Sequence, residues 1–136
     1  MKKIYLAFIP ILILIAACSK DFLKSYDKRI TDGTWELYDV NNFGIGSRYT
    51  PVFNSGHFTF ESTGQVTYTT NLGDVYTGSW DIRNGWKGKE LSITVTNFQT
   101  QRVFSEHFDY MEFTGTNRFR AHIYSGDRTY TFKFKR

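Results

Sequence analysis

Few side chains in this chain of 136 residues are of a type that does chemistry: one cysteine, Cys18, and three histidines, His57, His107 and His122. Their spacing limits what they can do. A metal site needs ligands that converge on one ion, but the histidines fall in three separate segments. If those segments are strands, His57 and His122 point opposite to Phe58, Phe60, Ala121 and Ile123, and therefore outward. The one string with a nucleophile-like order is Ser105-Glu106-His107. On a strand Ser105 and His107 share one side, and Glu106, on the other, cannot orient the histidine as a triad requires. The carboxylates Glu36, Asp81, Glu106, Asp109 and Glu112 show no pairing for acid–base work, and no glycine-rich phosphate loop is present. The expectation is a protein that is not an enzyme, with no catalytic residue, metal or cofactor.

Cys18 is the exception, because of what precedes it. Lys2 and Lys3 form a charged start, Ile4 to Ile15 an apolar stretch, and Ala16-Ala17 a pair of small residues before Cys18. A spanning helix takes about 20 apolar residues; here Pro10 interrupts the run and Ser19, Lys20 and Asp21 end it. Ile15-Ala16-Ala17-Cys18 resembles the bacterial lipobox, and the resemblance implies a signal peptide over residues 1–17. It also implies a diacylglycerol on the Cys18 sulfur and a further acyl chain, such as palmitate, on its freed amine. At ~0.8 kcal/mol per buried methylene, two or three such chains make a permanent membrane anchor. Ser19 stands where enteric lipoproteins carry an inner-membrane retention aspartate, so the resemblance favours the outer membrane of the cell envelope.

Using the only thiol for an anchor removes disulfide, redox and thiolate–metal chemistry together. The mature chain, about 119 residues from Cys18 to Arg136, is then held by one hydrophobic core and makes one domain. Of 17 basic side chains Lys2 and Lys3 leave with the leader, so the net charge of +4 falls to +2 against 13 acidic ones. No basic run remains for nucleic acid.

Residues 18–30 are polar, charged and without sustained period, and read as a tether, part of which can be helical. Beyond it the pattern changes to short runs rich in Thr, Val, Ile, Tyr and Phe between glycine-containing turns, the signature of antiparallel strands. Eight strands are predicted: Thr34 to Val40, Gly56 to Ser62, Gln65 to Thr70, Val75 to Ile82, Glu90 to Phe98, Arg102 to Thr114, Arg118 to Ser125 and Arg128 to Lys135. Alternation places one face in a dry core, with Phe58 beside Phe60, Leu91 with Ile93 and Val95, and Tyr130 with Phe132 and Phe134. In the sixth run Phe104 and Phe108 have one parity and Met111 and Phe113 the other, which predicts a bulge near Asp109 or Tyr110. Sequential hairpins with one dry face are expected to close into an all-β, eight-stranded antiparallel up-and-down barrel over residues 31–136.

Gly33-Thr34-Trp35 resembles the Gly-x-Trp that opens the first strand of lipocalins, and Gly78-Ser79-Trp80 the Gly-x-Trp that recurs in bacterial lipocalin-like lipoproteins. The resemblance implies a basic residue of the last strand over Trp35; Arg136 has the parity for it, the alternative being a solvated terminal charge. Alternation of the turns puts Trp35 at one end, the base, where Trp80 and Trp86 would help plug the barrel. The resemblance also implies that the Asn41 to Asn54 connection, with Phe43, Ile45 and Tyr49, folds over the mouth. The long C-terminal helix and disulfide of secreted lipocalins are missing, so the bacterial lipoprotein group is the nearer likeness.

Two functions follow as alternatives. In the first, the lipoprotein binds a small apolar ligand or a lipid among Phe58, Tyr68, Tyr76, Phe104, Ile123 and Tyr130, in a cavity under the loop. In the second, those rings fill the barrel, and exposed aromatics such as Phe43, Tyr49 or Trp86 bind an envelope protein as a scaffold or inhibitor. In both, the partner common to all copies is the membrane, through Cys18.

Overall fold

The computed structural model describes residues 25–46 and 49–136. The expected signal peptide, Cys18 and the first part of the tether lie outside the described residues. Tyr26–Ile30 form a short helix, α1. The alternating runs form β1 (Thr34–Phe43), β2 (Gly56–Phe60), β3 (Gln65–Thr69), β4 (Val75–Asn84), β5 (Lys89–Asn97), β6 (Arg102–Gly115), β7 (Arg118–Ser125) and β8 (Arg128–Lys135). Each strand pairs antiparallel with the next, and β8 returns to β1. The fold is the all-β, eight-stranded up-and-down barrel that the alternation predicts.

Closure leaves no free sheet edge, and it puts every apolar parity inside. Trp35, Leu37, Phe58, Phe60, Leu91, Phe108, Phe119 and Phe134 are fully buried in one continuous core. Threonine, serine, lysine and arginine cover the outside. A membrane-spanning barrel has the reverse arrangement, with an apolar band facing lipid.

Of three register irregularities, one lies near the end of β6 between Phe113 and Gly115, and the other two keep the parities consistent. Opposite β5, the step from Leu91 to Lys89 spans Phe108 to Met111, so β6 carries an extra residue at Asp109–Tyr110. Phe108 and Met111 both point inward because of it. In β1 the extra residue is Tyr38, between Leu37 paired with Phe134 and Asp39 paired with Lys133. Beyond that bulge β1 runs three residues further than predicted. Asn41, Asn42 and Phe43 are poor or unpatterned strand formers, but Thr131, Tyr130 and Thr129 of β8 pair with them, and the ladder overrides propensity.

The meander sends its turns alternately to two ends. The base holds α1, the start of β1, the end of β8 and the 115–117 turn. The mouth holds the 44–55 connection and the turns after β3, β5 and β7. Trp86 does not plug the base: it is 90% exposed. The β4–β5 hairpin curls outside the barrel instead, with the Lys87 ammonium 3.6 Å from the Tyr124 ring centroid on β7.

Candidate functional site

At the mouth, the decisive residue is Phe53, which lies outside every strand and is nevertheless fully buried. Its ring stands edge-on to Phe58, Tyr68 and Phe104, at centroid distances of 5.2, 5.0 and 6.2 Å. Tyr76 meets Tyr68 at 5.8 Å and Phe104 at 5.0 Å, and Ile123 is paired with Tyr130 on the adjoining wall. The six side chains singled out for an apolar ligand therefore belong to one continuous core, and all but half-buried Phe104 are buried. Three of them, Phe58, Tyr68 and Phe104, pack directly on the Phe53 ring.

The connection that delivers Phe53 is held by polar bonds to the wall. The Tyr49 and Val52 donors both reach Glu106: the Tyr49 phenol donates to its carboxylate, as does the Val52 amide at 3.3 Å. Tyr130 donates its hydroxyl to the Tyr49 carbonyl at 3.0 Å, and Tyr68 does the same to the Ser55 carbonyl at 3.0 Å. Burial, then the Glu106 carboxylate that accepts its proton, push the Tyr49 phenol above its usual value, so it stays a donor. Glu106 is 8% exposed. A carboxylate that buried is tolerated when its oxygens are hydrogen-bonded.

Glycines mark the ends of this lid. Gly44 has φ +117°, and a Cβ there would stand 2.1 Å from the Asp127 carbonyl oxygen. Gly56, at φ +109°, would place one 2.7 Å from the Thr69 carbonyl oxygen. Positive φ and close backbone approach both require glycine there.

At the base, Trp35 is fully buried and donates its indole N–H to the Ile30 carbonyl at 2.7 Å, so α1 seats on it. The Arg136 guanidinium lies 4.8 Å from the Trp35 ring centroid, a contact worth ~0.5–2 kcal/mol. Arg136 also donates to the carbonyls of Thr116, Arg29 and Asp32, tying β8 to α1 and to the 115–117 turn. Trp80 sits beside Phe60 at 5.6 Å and donates to the Glu61 carbonyl at 2.9 Å. It also borders an open groove against Asp27, Lys28 and Thr31.

His107 and Ser105 face outward and His122 is more enclosed, while Asn97 is buried and donates to the Val75 carbonyl at 3.1 Å. His107 bonds Ser92 at 2.9 Å, and His122 bonds Thr131 at 3.1 Å with burial holding its ring below the usual histidine value. Ser105 pairs with Thr94 at 2.9 Å, on the opposite face from Glu106. Among the described residues no three histidine, cysteine, aspartate or glutamate side chains gather as metal ligands. Sequence reasoning placed Glu106 among scattered carboxylates and did not foresee Phe53. The parity of Glu106 between Phe104 and Phe108 was the available signal for the first, whereas the second had none.

At the mouth end, Phe43, Ile45 and Leu72 are 87%, 84% and 91% exposed. No protein-family model, curated protein or solved structure matches the chain.

Proposed function

We propose that the protein is a lipid-anchored, lipocalin-like lipoprotein of the cell envelope, not an enzyme, that binds another envelope protein through its mouth end. The single observation that carries this reading is the division of apolar residues there. Phe53 and the wall rings occupy the chamber, while Phe43, Ile45 and Leu72 are left on the surface. Aromatic side chains such as Phe43 are enriched at the core of protein interfaces. Orientation supports it as well. With Cys18 lipidated, the seven links to Ser25 reach at most ~24 Å, and Ser25 leads into α1 at the base. The mouth then faces away from the anchoring membrane, outer membrane by the lipobox resemblance.

The carrier reading keeps one observation in its favour: a glycine at each end of the lid, Gly44 and Gly56, gives Phe53 a way out of the chamber. A ligand would then take the place of that ring among Phe58, Tyr68 and Tyr130.

A photo-crosslinker placed at Phe43 or Leu72 in intact cells separates the two. The expected result is one discrete protein adduct from both positions and none from Asn117 at the base. Adduct formation at Leu72 should fail when Phe43 and Ile45 are both replaced by serine. Equal labelling from mouth and base, or a small molecule retained in native mass spectrometry and lost with Phe58→Trp, would reject the protein-binding reading.

A further inference from the structure

We propose that the outer wall of β3 to β5 binds a neutral polysaccharide chain. Strand register lines up Thr34, Thr59, Thr67, Thr77 and Thr96 as direct cross-strand neighbours, a row of threonines across five strands. The next row toward the base is Gln65, Ser79, Thr94 and Ser105. Neither row carries a charge. Their neighbours along the row are one strand spacing apart, about 4.8 Å, so the rows present hydroxyl, amide and threonine methyl groups over a continuous surface.

Phe98, just past β5, gives this wall a ring. It is 80% exposed, and two open grooves meet at it and at Thr77. One, of about 390 Å³, runs toward the base past Thr67 and Gln65, and the other, of about 490 Å³, runs past Thr96 and Asn97 to the mouth. Each lies within the ~300–1,000 Å³ range of ligand sites. Glu61 stands in the first groove and Asp74 in the second.

A pyranose has an apolar C–H face and a rim of hydroxyls that both donate and accept. An exposed ring matches the face. Hydroxyl and amide side chains, each able to donate and accept, match the rim, and carboxylates accept from adjacent hydroxyl pairs. The same wall disfavours other polymers. Glu61 and Asp74 repel polyanions, and no lysine or arginine borders either groove to offset them. The extended run of two grooves on either side of one ring fits a chain of sugars better than a single one. Leu72 of the mouth interface adjoins Gly73 of the second groove, but Phe98 and Thr77, the positions substituted to test this site, are not among the residues assigned to that interface, so failure of this site and that of the mouth interface are distinguishable.

Affinity electrophoresis tests it on the full chain, purified in a polyoxyethylene detergent so that no sugar headgroup competes. Gels are cast with soluble starch, hydroxyethyl cellulose, arabinoxylan or galactomannan, and with polygalacturonate as the anionic comparison. Retardation by at least one neutral polymer is expected, weakened about tenfold or more by Phe98→Ala, as for truncation of a contact residue at the centre of an interface. Thr77→Arg, which puts a long charged side chain where the grooves meet, should abolish it, while circular dichroism shows both variants folded. Retardation in no neutral gel, retardation by polygalacturonate alone, or retardation unchanged in both variants overturns the proposal. So does a concentration-dependent dimer in sedimentation that Phe98→Ala dissociates, which would make a second copy the occupant.

Discussion

The two ends of the barrel are closed by different physics. At the base, the seal is part of barrel closure: Arg136, the residue after β8, lies over Trp35 of β1, and Arg29 of α1 lies 4.0 Å from the Phe113 ring centroid of β6. That seal adds side-chain contacts between α1, β1 and the β6–β7 turn to the backbone ladder that already joins β1 to β8. At the mouth, a single loop is fastened to a barrel that is already closed, by three hydroxyl donors, one buried carboxylate and one inserted ring. The base should therefore fail only with the whole domain, whereas the mouth should open by itself, as loosely coupled segments do.

Trp35→Ala is the largest perturbation. It removes a fully buried side chain that touches Phe113 and Phe119 and supports Arg136, and truncation at such a site costs about 3–5 kcal/mol. Urea denaturation should show that loss as a lower midpoint with an unchanged slope. A loss below about 1 kcal/mol would mean that the base is no more integral than the lid.

Phe53→Ala empties an equally buried site, but the expected cost is lower, about 1–3 kcal/mol. The cost cannot exceed the free energy of undocking the lid, because an undocked lid no longer contains the cavity. Amide exchange should accelerate across residues 49–56 and stay unchanged at Trp35 and Phe134. Acceleration throughout the barrel would erase the distinction between the ends.

That asymmetry also explains what the sequence made legible. Strand alternation is a local signal, and it was enough to place eight strands, to give Arg136 the parity of Trp35's face and to mark the bulge at Asp109–Tyr110. The lid has no period. Phe53 sits in Pro51-Val52-Phe53-Asn54, where nothing local distinguishes a ring that inserts from one, such as Phe43, that stays exposed. Its destination is fixed by Glu106 and Tyr68, residues 53 and 15 positions away, and by the carbonyls they leave room for. Trp86 failed as a plug for the same reason, since the curl of the β4–β5 hairpin depends on Lys87 meeting Tyr124. The threonine rows are likewise invisible until register is known.

Glu106→Leu probes the latch with the ring left in place. It strands the Tyr49 hydroxyl and the Val52 amide without their acceptor, at about 1–2 kcal/mol, and Glu106→Gln, which keeps an acceptor oxygen, should cost less. Exchange again reports where: the rate should rise at Val52 and Phe53 in the leucine variant. Were glutamine as damaging as leucine, the carboxylate charge, and not the hydrogen bonds, would be what holds the lid.

The smallest expected effect is the response to alkali. Burial and Glu106 raise the folded-state value of the Tyr49 phenol above its ordinary 10.0, so the protonated phenol is bound more tightly in the folded chain than in the unfolded one. The stability this linkage gives is present in full below pH ~10 and is lost as pH rises above it, because the unfolded chain releases the proton first. Tyr68, Tyr110 and Tyr124 are raised too, chiefly by burial, so the wild-type slope sums several phenols and only a difference isolates Tyr49. Urea midpoints measured from about pH 9 to about pH 11 should fall more steeply for wild type than for Tyr49→Phe. The two curves should converge toward the alkaline end, where the wild-type phenol no longer favours the closed lid. Parallel curves would show that Tyr49 releases its proton as readily in the folded chain as in the unfolded one, and the lid would then be held by Phe53, Tyr68, Tyr130 and the Val52 amide without a contribution from the Tyr49 phenol.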